Sequence, residues 1–111
     1  MVDNDKKLLS DIFSSISLIE EFIKDIKSYN EYLSDIKTQS AVERQLSIIG
    51  EAVNKYDKLE GINSLENAEK IVGFRNRLVH AYDSIDSSIV WVIVERYLPK
   101  LKKEVVRKLK Q

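Results

Sequence analysis

Apolar residues recur at intervals of three and four along the first part of the chain, which is the spacing of one helical face. This stripe comprises Leu8, Leu9, Ile12, Phe13, Ile16, Ile19, Ile23 and Ile26. A second stripe, with the same spacing, comprises Val42, Leu46, Ile49, Val53 and Tyr56. Three glycines and one proline among 111 residues are too few turn-forming residues for a β-sheet protein. Together these features predict a single all-α domain over residues 1–111.

The breaks between the stripes predict where the helices begin and end. The first helix should begin near Asp3–Asp5, where carboxylates suit a helix N-terminus, and a short helical turn is expected around Glu31–Leu33. A second long helix should begin at Ser34 or Asp35 and end near Tyr56. A loop containing Gly61 should follow over residues 57–63. Gly50 costs that helix about 1 kcal/mol relative to alanine, so either another helix approaches closely there or the cost is simply tolerated.

The third predicted helix carries the most informative anomaly. Asn63 or Ser64 can cap its start, and Glu66 is spaced to complete a capping box on Asn63. On an ideal wheel Arg75 lies on the apolar stripe, where a guanidinium is costly unless it is paired or faces a polar cleft. The other members of that stripe are Leu65, Ala68, Val72, Val79 and Tyr82.

The single histidine of the chain, His80, shares a second face of this helix with Asn76. Arg75 and His80 are five residues apart, about 140° around an ideal helix. They can therefore serve one site only if the helix end distorts or a second chain contributes.

A fourth helix should begin near Ser84 or Asp86, and Pro99 should end or kink it. Its start, Ile89–Val94, is apolar on every side, and these residue types also favour strands. Helix is predicted because no second strand could pair with it. A helix that is apolar on every side must be covered on more than one side, and another copy of the chain is expected to cover the second side. Short loops then predict an antiparallel up-down four-helix bundle with an extra short helix, and the apolar start of the fourth helix predicts that the bundle dimerises.

Composition excludes several kinds of chemistry. The chain has no cysteine, one histidine, no glycine-rich phosphate loop and no nucleophile elbow. Metal sites, serine triads and nucleotide hydrolysis are therefore not expected, and no cofactor is predicted. No export signal opens the chain, and its longest apolar run is far shorter than the roughly 20 residues that span a bilayer. The expected location is the cytoplasm, without a membrane partner.

The stretch from Arg75 to Tyr82 suits phosphodiester chemistry. Histidine titrates near neutral pH and can take a proton from a ribose 2′-hydroxyl, while an arginine fork binds phosphate. Asn76 can bind a phosphate or orient the imidazole. RNA supplies its own nucleophile, but a general acid is still needed, and a symmetric dimer would supply it from the second copy of His80.

The residues Arg75, His80 and Tyr82 match the RxxxxHxY motif, and the chain resembles the HepT toxins of the HEPN superfamily. The resemblance extends to residues 35–52, which are similar to that family's second helix. It includes the flanks of the motif: Gly73–Phe74 before it, then Ile85–Asp86, Ile89–Trp91 and Leu98–Leu101. It therefore covers nearly the whole chain.

This resemblance implies a HEPN-fold homodimer in which two motifs meet in an interfacial cleft. It implies a metal-independent endoribonuclease toxin that leaves 2′,3′-cyclic phosphates on tRNA or mRNA, with Arg75 and His80 catalytic and Asn76 beside them. Tyr82 corresponds to the tyrosine that the family's antitoxin, the minimal nucleotidyltransferase MntA, modifies with AMP. Bulky anions beside Arg75 would block the cleft and neutralise its charge.

Other interpretations stay open. The chain could be a non-catalytic accessory subunit that binds nucleotides or docks a nucleotidyltransferase, or a structural bundle with an incidental motif. Tyr82 could simply pack on the apolar stripe. Arg77, Lys102 and Lys103 are candidate RNA-binding residues, although the basic tail also suits a solvated helix end, which we slightly favour. Arg44 and Glu51 either line the cleft or dimer contact or are solvated.

Overall fold

A computed structural model describes residues 2–61, 65–67, 70–74 and 86–111, with side chains from Asn4 onward. In these ranges the chain is helical and contains no strand, which confirms the all-α prediction. The helices are α1 (Val2–Ile23), α2 (Tyr29–Leu33), α3 (Ile36–Glu60), α4 (residues 70–74), α5 (Ser87–Val92) and α6 (Leu98–Leu109). A π-helical turn, Ile93–Tyr97, joins α5 to α6.

The core forms where the two predicted stripes meet. α1 packs against α3 and also against α6. The α1 stripe buries Leu9, Ile12, Ile16 and Ile19, and the α3 stripe buries all five of its members. Burying an aliphatic side chain of this size contributes about 1.5–3 kcal/mol, so this contact supplies a large part of the stability of the bundle. Gly50 is also buried, as the close approach of another helix would require.

Polar caps define the predicted short helix and the start of α3. The Ser28 hydroxyl accepts the backbone N–H of Glu31 at 3.2 Å and begins α2. The Asp35 carboxylate accepts the backbone N–H of Thr38 at 3.0 Å and the Thr38 hydroxyl at 2.7 Å. These two hydrogen bonds hold the pKa of Asp35 below its usual value. The predicted short helix is confirmed, although it begins two residues before Glu31, and the predicted start of the second long helix at Asp35 is also confirmed.

The predicted end of α3 near Tyr56 is wrong. The helix continues to Glu60, and Gly61 ends it with a positive φ of 108° and an N–H that donates to the Asp57 carbonyl at 2.8 Å. Polar residues after Tyr56 suggest a loop, but none of them breaks a helix. Glycine does, because it tolerates this backbone conformation.

The last helix begins at Asp86, whose carboxylate accepts the backbone N–H of Ser88 at 2.8 Å. The apolar stretch Ile89–Val94 is helical, which confirms the choice of helix over strand. Pro99 does not end the helix, which continues to Leu109. The turn before Pro99 widens instead, so that the Leu98 N–H donates to the Ile93 carbonyl, five residues earlier. This π turn relieves the clash that the proline ring makes with an α-helical turn before it.

Candidate functional site

The predicted site residues Arg75, Asn76, Arg77, His80 and Tyr82 lie outside the described residues. So do Asn63 and Ser64, the predicted caps of the third helix. The roles of these residues therefore stay predictions. The structure describes the two flanks of the motif, residues 65–74 in part and residues 86–97, and these flanks show how the motif is attached to the bundle.

On the upstream flank, α4 has a buried face and an open face. Ile71 is 1% exposed and Phe74 is 4% exposed, so both belong to the core. Gly73 is exposed, and a Cβ added to it would meet no atom of the described residues within 4 Å. The Lys70 ammonium lies 5.6 Å from the centre of the Tyr97 ring on the π turn, a cation–π distance. Phe74 immediately precedes Arg75, so the buried face anchors the residue next to the motif.

A groove of about 520 Å³ lies between α4 and the start of the last helix. Its lining includes Lys70, Gly73 and Phe74 from α4, with Ser88, Val92 and Tyr97 facing them. The Val92 side chain is 43% exposed, although Val90, Ile93 and Val94 around it are buried. The apolar stretch Ile89–Val94 therefore has an exposed side, which lines this groove together with Phe74, the last described residue before the motif.

A carboxylate from α6 binds the chain just before α4. One oxygen of Glu104, Oε2, accepts the backbone N–H of Glu66 at 2.7 Å. The other, Oε1, accepts the backbone N–H of Asn67 at 3.0 Å and the Asn67 side-chain amide at 3.2 Å. Glu104 is only 7% exposed, so its charge is buried but well supplied with donors.

Sequence reasoning missed Glu104, although a signal for it exists. It is the one acidic residue between Lys100 and Lys110, and it lies three residues after Leu101 and next to Val105. Leu101 and Val105 are buried, so Glu104 sits on the core stripe of α6. Arg75 shows the same anomaly in the sequence, a charged residue on an apolar stripe.

On the downstream flank, Gln39 of α3 links three segments. Its amide nitrogen donates to the Tyr32 carbonyl at 2.9 Å and to the Leu33 carbonyl at 2.8 Å. Its amide oxygen accepts the Ser87 hydroxyl at 3.4 Å. Since Ser87 is the first residue of α5, this side chain ties the end of α2 to the place where the last helix starts.

An aromatic cluster lies beneath this connection. The rings of Tyr32 and Trp91 are 5.1 Å apart, and those of Tyr29 and Trp91 are 6.5 Å apart. Tyr32 is fully buried, and its hydroxyl has no hydrogen-bond partner within the described ranges. Burial, together with the charge of Glu43, raises the pKa of Tyr32 far above its usual value. Burial also raises the pKa of the Glu43 carboxyl.

The two candidate RNA-binding lysines of the tail have different surroundings. The Lys102 ammonium is 2.9 Å from the Glu20 carboxylate on α1 and 5.7 Å from the centre of the Phe13 ring. Lys103 is exposed. Arg44 and Glu51 line a separate groove of about 420 Å³ between α1 and α3. Both residues therefore lie on one surface groove, and their role, at a cleft or dimer contact or simply in solvent, stays a prediction.

The described ranges offer neither a clustered set of metal ligands nor a membrane-spanning helix. No three side chains of His, Cys, Asp or Glu within those ranges group closely enough to hold a metal ion. No helix there is both long enough and apolar enough to cross a bilayer.

Comparison with known families decides the classification. The family model described as "Ribonuclease HepT-like" matches residues 12–107. The chain belongs to this family. The match includes both flanks and the whole motif between them, so the HepT-like resemblance inferred from the sequence is confirmed.

The relatives carry ribonuclease names. A Methanocaldococcus jannaschii protein named "Putative RNase MJ1380" is 41% identical over 102 residues, covering 90% of this chain and 92% of the relative. A Thermococcus cleftensis protein named "Probable ribonuclease HepT" is 38% identical over 98 residues, covering 87% and 88%. A Caldanaerobacter subterraneus protein named "Putative RNase TTE0752" is 31% identical over 98 residues, covering 87% of each. No solved structure matches the chain.

Proposed function

We propose that this protein is a metal-independent endoribonuclease that uses Arg75 and His80. The observation that carries the proposal is the intact motif, Arg75, Asn76, His80 and Tyr82, within a chain that belongs to the HepT-like ribonuclease family. The names of the relatives support RNA as the substrate class. The chemistry of these residue types explains how such a site would work.

In the proposed reaction His80 removes the proton from a ribose 2′-hydroxyl, and the 2′-oxygen attacks the adjacent phosphorus. The bond from phosphorus to the 5′-oxygen breaks, which leaves a 2′,3′-cyclic phosphate and a free 5′-hydroxyl. The Arg75 guanidinium binds the phosphate and stabilises the charge that grows on its oxygens. Asn76 donates a hydrogen bond to the phosphate or orients the imidazole.

The leaving 5′-oxygen needs a proton, and the chain has a single histidine. We propose that a homodimer supplies His80 of a second copy as the general acid, in a cleft between the copies. The exposed Val92 and the groove beside Gly73 support this arrangement, because they leave apolar surface uncovered next to the flank of the motif. With one imidazole as base and another as acid, the rate should fall on both sides of neutral pH.

We further propose that the protein is the toxin of a type VII-like toxin–antitoxin pair. Its antitoxin would be a minimal nucleotidyltransferase of the MntA kind, which transfers AMP from ATP to the Tyr82 hydroxyl and releases pyrophosphate. Each AMP adds a negative phosphate beside the cleft, which would oppose the binding of RNA and compete for Arg75. Family membership and the presence of Tyr82 in the motif support this regulation.

Arg77 and the lysines of the tail would add phosphate contacts. Lys103 is the better candidate of the pair, because Lys102 already faces the Glu20 carboxylate. Contacts of this kind bind RNA without reading its sequence and weaken as salt is added.

The test is cleavage of a mixed tRNA and mRNA pool in EDTA by wild type, His80→Ala and Arg75→Ala. The mass of each protein is measured first, since AMP on Tyr82 would silence an active enzyme. Wild type should produce cyclic-phosphate ends, and each variant should be slower by a factor of about 10²–10⁴. Equal cleavage by all three proteins would refute the assignment of these residues. No cleavage by unmodified wild type would favour the accessory-subunit interpretation.

A further inference from the structure

Glu104 makes the longest-range side-chain hydrogen bonds to the upstream flank of the motif within the described ranges. Its carboxylate lies 37 and 38 residues along the chain from Asn67 and Glu66, whose backbone N–H groups it accepts. A buried carboxylate is costly unless hydrogen-bond donors replace its water. Here three donors lie within 3.2 Å, so the charge is well satisfied where it is.

These hydrogen bonds hold the backbone at Glu66 and Asn67, and buried side chains hold the chain before and after it. Leu65, just before the bound N–H groups, is 1% exposed, and Ile71, in α4, is also 1% exposed. The carboxylate therefore holds the polar backbone while the two apolar side chains pack in the core. Because Phe74 directly precedes Arg75, the position of this piece sets where the chain enters the motif.

We propose that Glu104 is a positioning residue for Arg75 and His80. It acts through the chain at Glu66 and Asn67 and touches neither the RNA nor the reacting atoms. This inference rests on the proposed ribonuclease function for its kinetic consequence. Catalytic geometry is sensitive to small displacements, and a shift of about 1 Å can cost a factor of about 10² in rate.

Glu104→Gln is the sharpest perturbation, because it preserves size and shape. The amide has one acceptor oxygen in place of two, so its NH₂ group must face at least one of the three N–H donors. Val105→Ala is the matched control, since Val105 is the next residue of α6 and is fully buried but makes no side-chain hydrogen bond. Thermal unfolding of both variants is measured first, and the assays are run where both are folded.

In the kinetic assay, Glu104→Gln should lower kcat by a factor of about 10–100 and change KM by less than about threefold. Val105→Ala should keep kcat within about threefold of wild type, even if it unfolds at the same temperature as Glu104→Gln. Equal losses of kcat in variants of equal stability would show that Glu104 contributes only to folding, and would overturn the proposal.

A second readout does not depend on RNA cleavage. Because His80 is the single histidine, its imidazole proton signals in a proton NMR spectrum need no assignment. Glu104→Gln should shift these signals and their titration midpoint, while Val105→Ala should leave both unchanged. Unchanged His80 signals in folded Glu104→Gln would overturn the proposal. If wild type cleaves no RNA, the proposed function fails, and the His80 signals still decide whether Glu104 positions the motif.

Asn67→Ala covers the case in which Glu104→Gln does not fold. It removes one of the three hydrogen bonds to Glu104 and leaves both backbone donors in place. It should shift the His80 signals in the same direction as Glu104→Gln, by a smaller amount. A folded Asn67→Ala variant whose His80 signals and kcat both equal those of wild type would count against the proposal.

Discussion

Replacing Gln39 by alanine should destabilise the protein by about 2 kcal/mol, because this side chain makes two short hydrogen bonds and one long one. The bonds to the Tyr32 and Leu33 carbonyls, at 2.9 and 2.8 Å, have good lengths and are each worth about 1 kcal/mol net. The bond from the Ser87 hydroxyl, at 3.4 Å, is near the limit for a hydrogen bond and should contribute less than about 0.5 kcal/mol.

Urea denaturation followed by circular dichroism measures this loss, and thermal unfolding should show a fall of about 8 °C in Tm for a domain of this size. Ser87→Ala is the matched control, because it removes the long bond alone, and it should lower the free energy of unfolding by less than about 0.5 kcal/mol. Gln39→Glu should cost more than alanine at neutral pH, because a carboxylate would face two carbonyl oxygens. The reasoning is refuted if Gln39→Ala costs less than Ser87→Ala.

Two further predictions concern the aromatic cluster. Tyr32→Phe should stabilise the protein by about 1 kcal/mol in urea denaturation, because it removes a buried hydroxyl that no described residue binds while keeping the ring on Trp91. A loss of stability would instead show that the hydroxyl has a partner. Glu43→Gln should stabilise the protein at pH 7 by less than about 1 kcal/mol, since the side chain is partly exposed. Burial raises the folded-state pKa of Glu43, so ionisation opposes folding, and the gain should vanish below about pH 4, where both states are protonated. A gain that is the same at both pH values would contradict this cause.

Local patterns predict the helices well because their causes are local. Apolar spacing gives the buried face of α1, and short-range side-chain caps at Asp35 and Asp86 give two helix starts. The predicted end of α3 is wrong because polarity after Tyr56 does not break a helix, whereas the backbone conformation at Gly61 does. The π turn before Pro99 was missed for a related reason. A proline predicts a disturbance, but the packing around it decides which form that disturbance takes.

The features of the site also divide into local ones, which the sequence shows, and long-range ones, which it does not. The motif from Arg75 to Tyr82 is contiguous, so the sequence displays it directly, and family membership confirms the resemblance that it carries. The hydrogen bonds of Glu104 and Gln39 join residues up to 38 and 48 positions apart. No periodicity encodes such pairs. What the sequence does show is a charged residue on a core stripe, at Glu104 as at Arg75, and this signal predicts a partner without naming it.

The two anchors imply a stricter criterion for activity than the motif by itself. Glu104 binds the chain eight residues before Arg75, at Asn67, and Gln39 binds it five residues after Tyr82, at Ser87. Each of these residues belongs to a long helix of the core, so both flanks of the motif hydrogen-bond to parts of the bundle that do not include the motif, the downstream flank through the long 3.4 Å bond. On this reasoning, a HepT-like chain that keeps Arg75 and His80 but carries apolar residues at the positions of Glu104 and Gln39 would match the motif and still cleave RNA slowly. Restoring a glutamate at the Glu104 position in such a chain should raise kcat. Control substitutions that raise Tm by the same amount should raise kcat less, because the gain from the glutamate would come from geometry at the site.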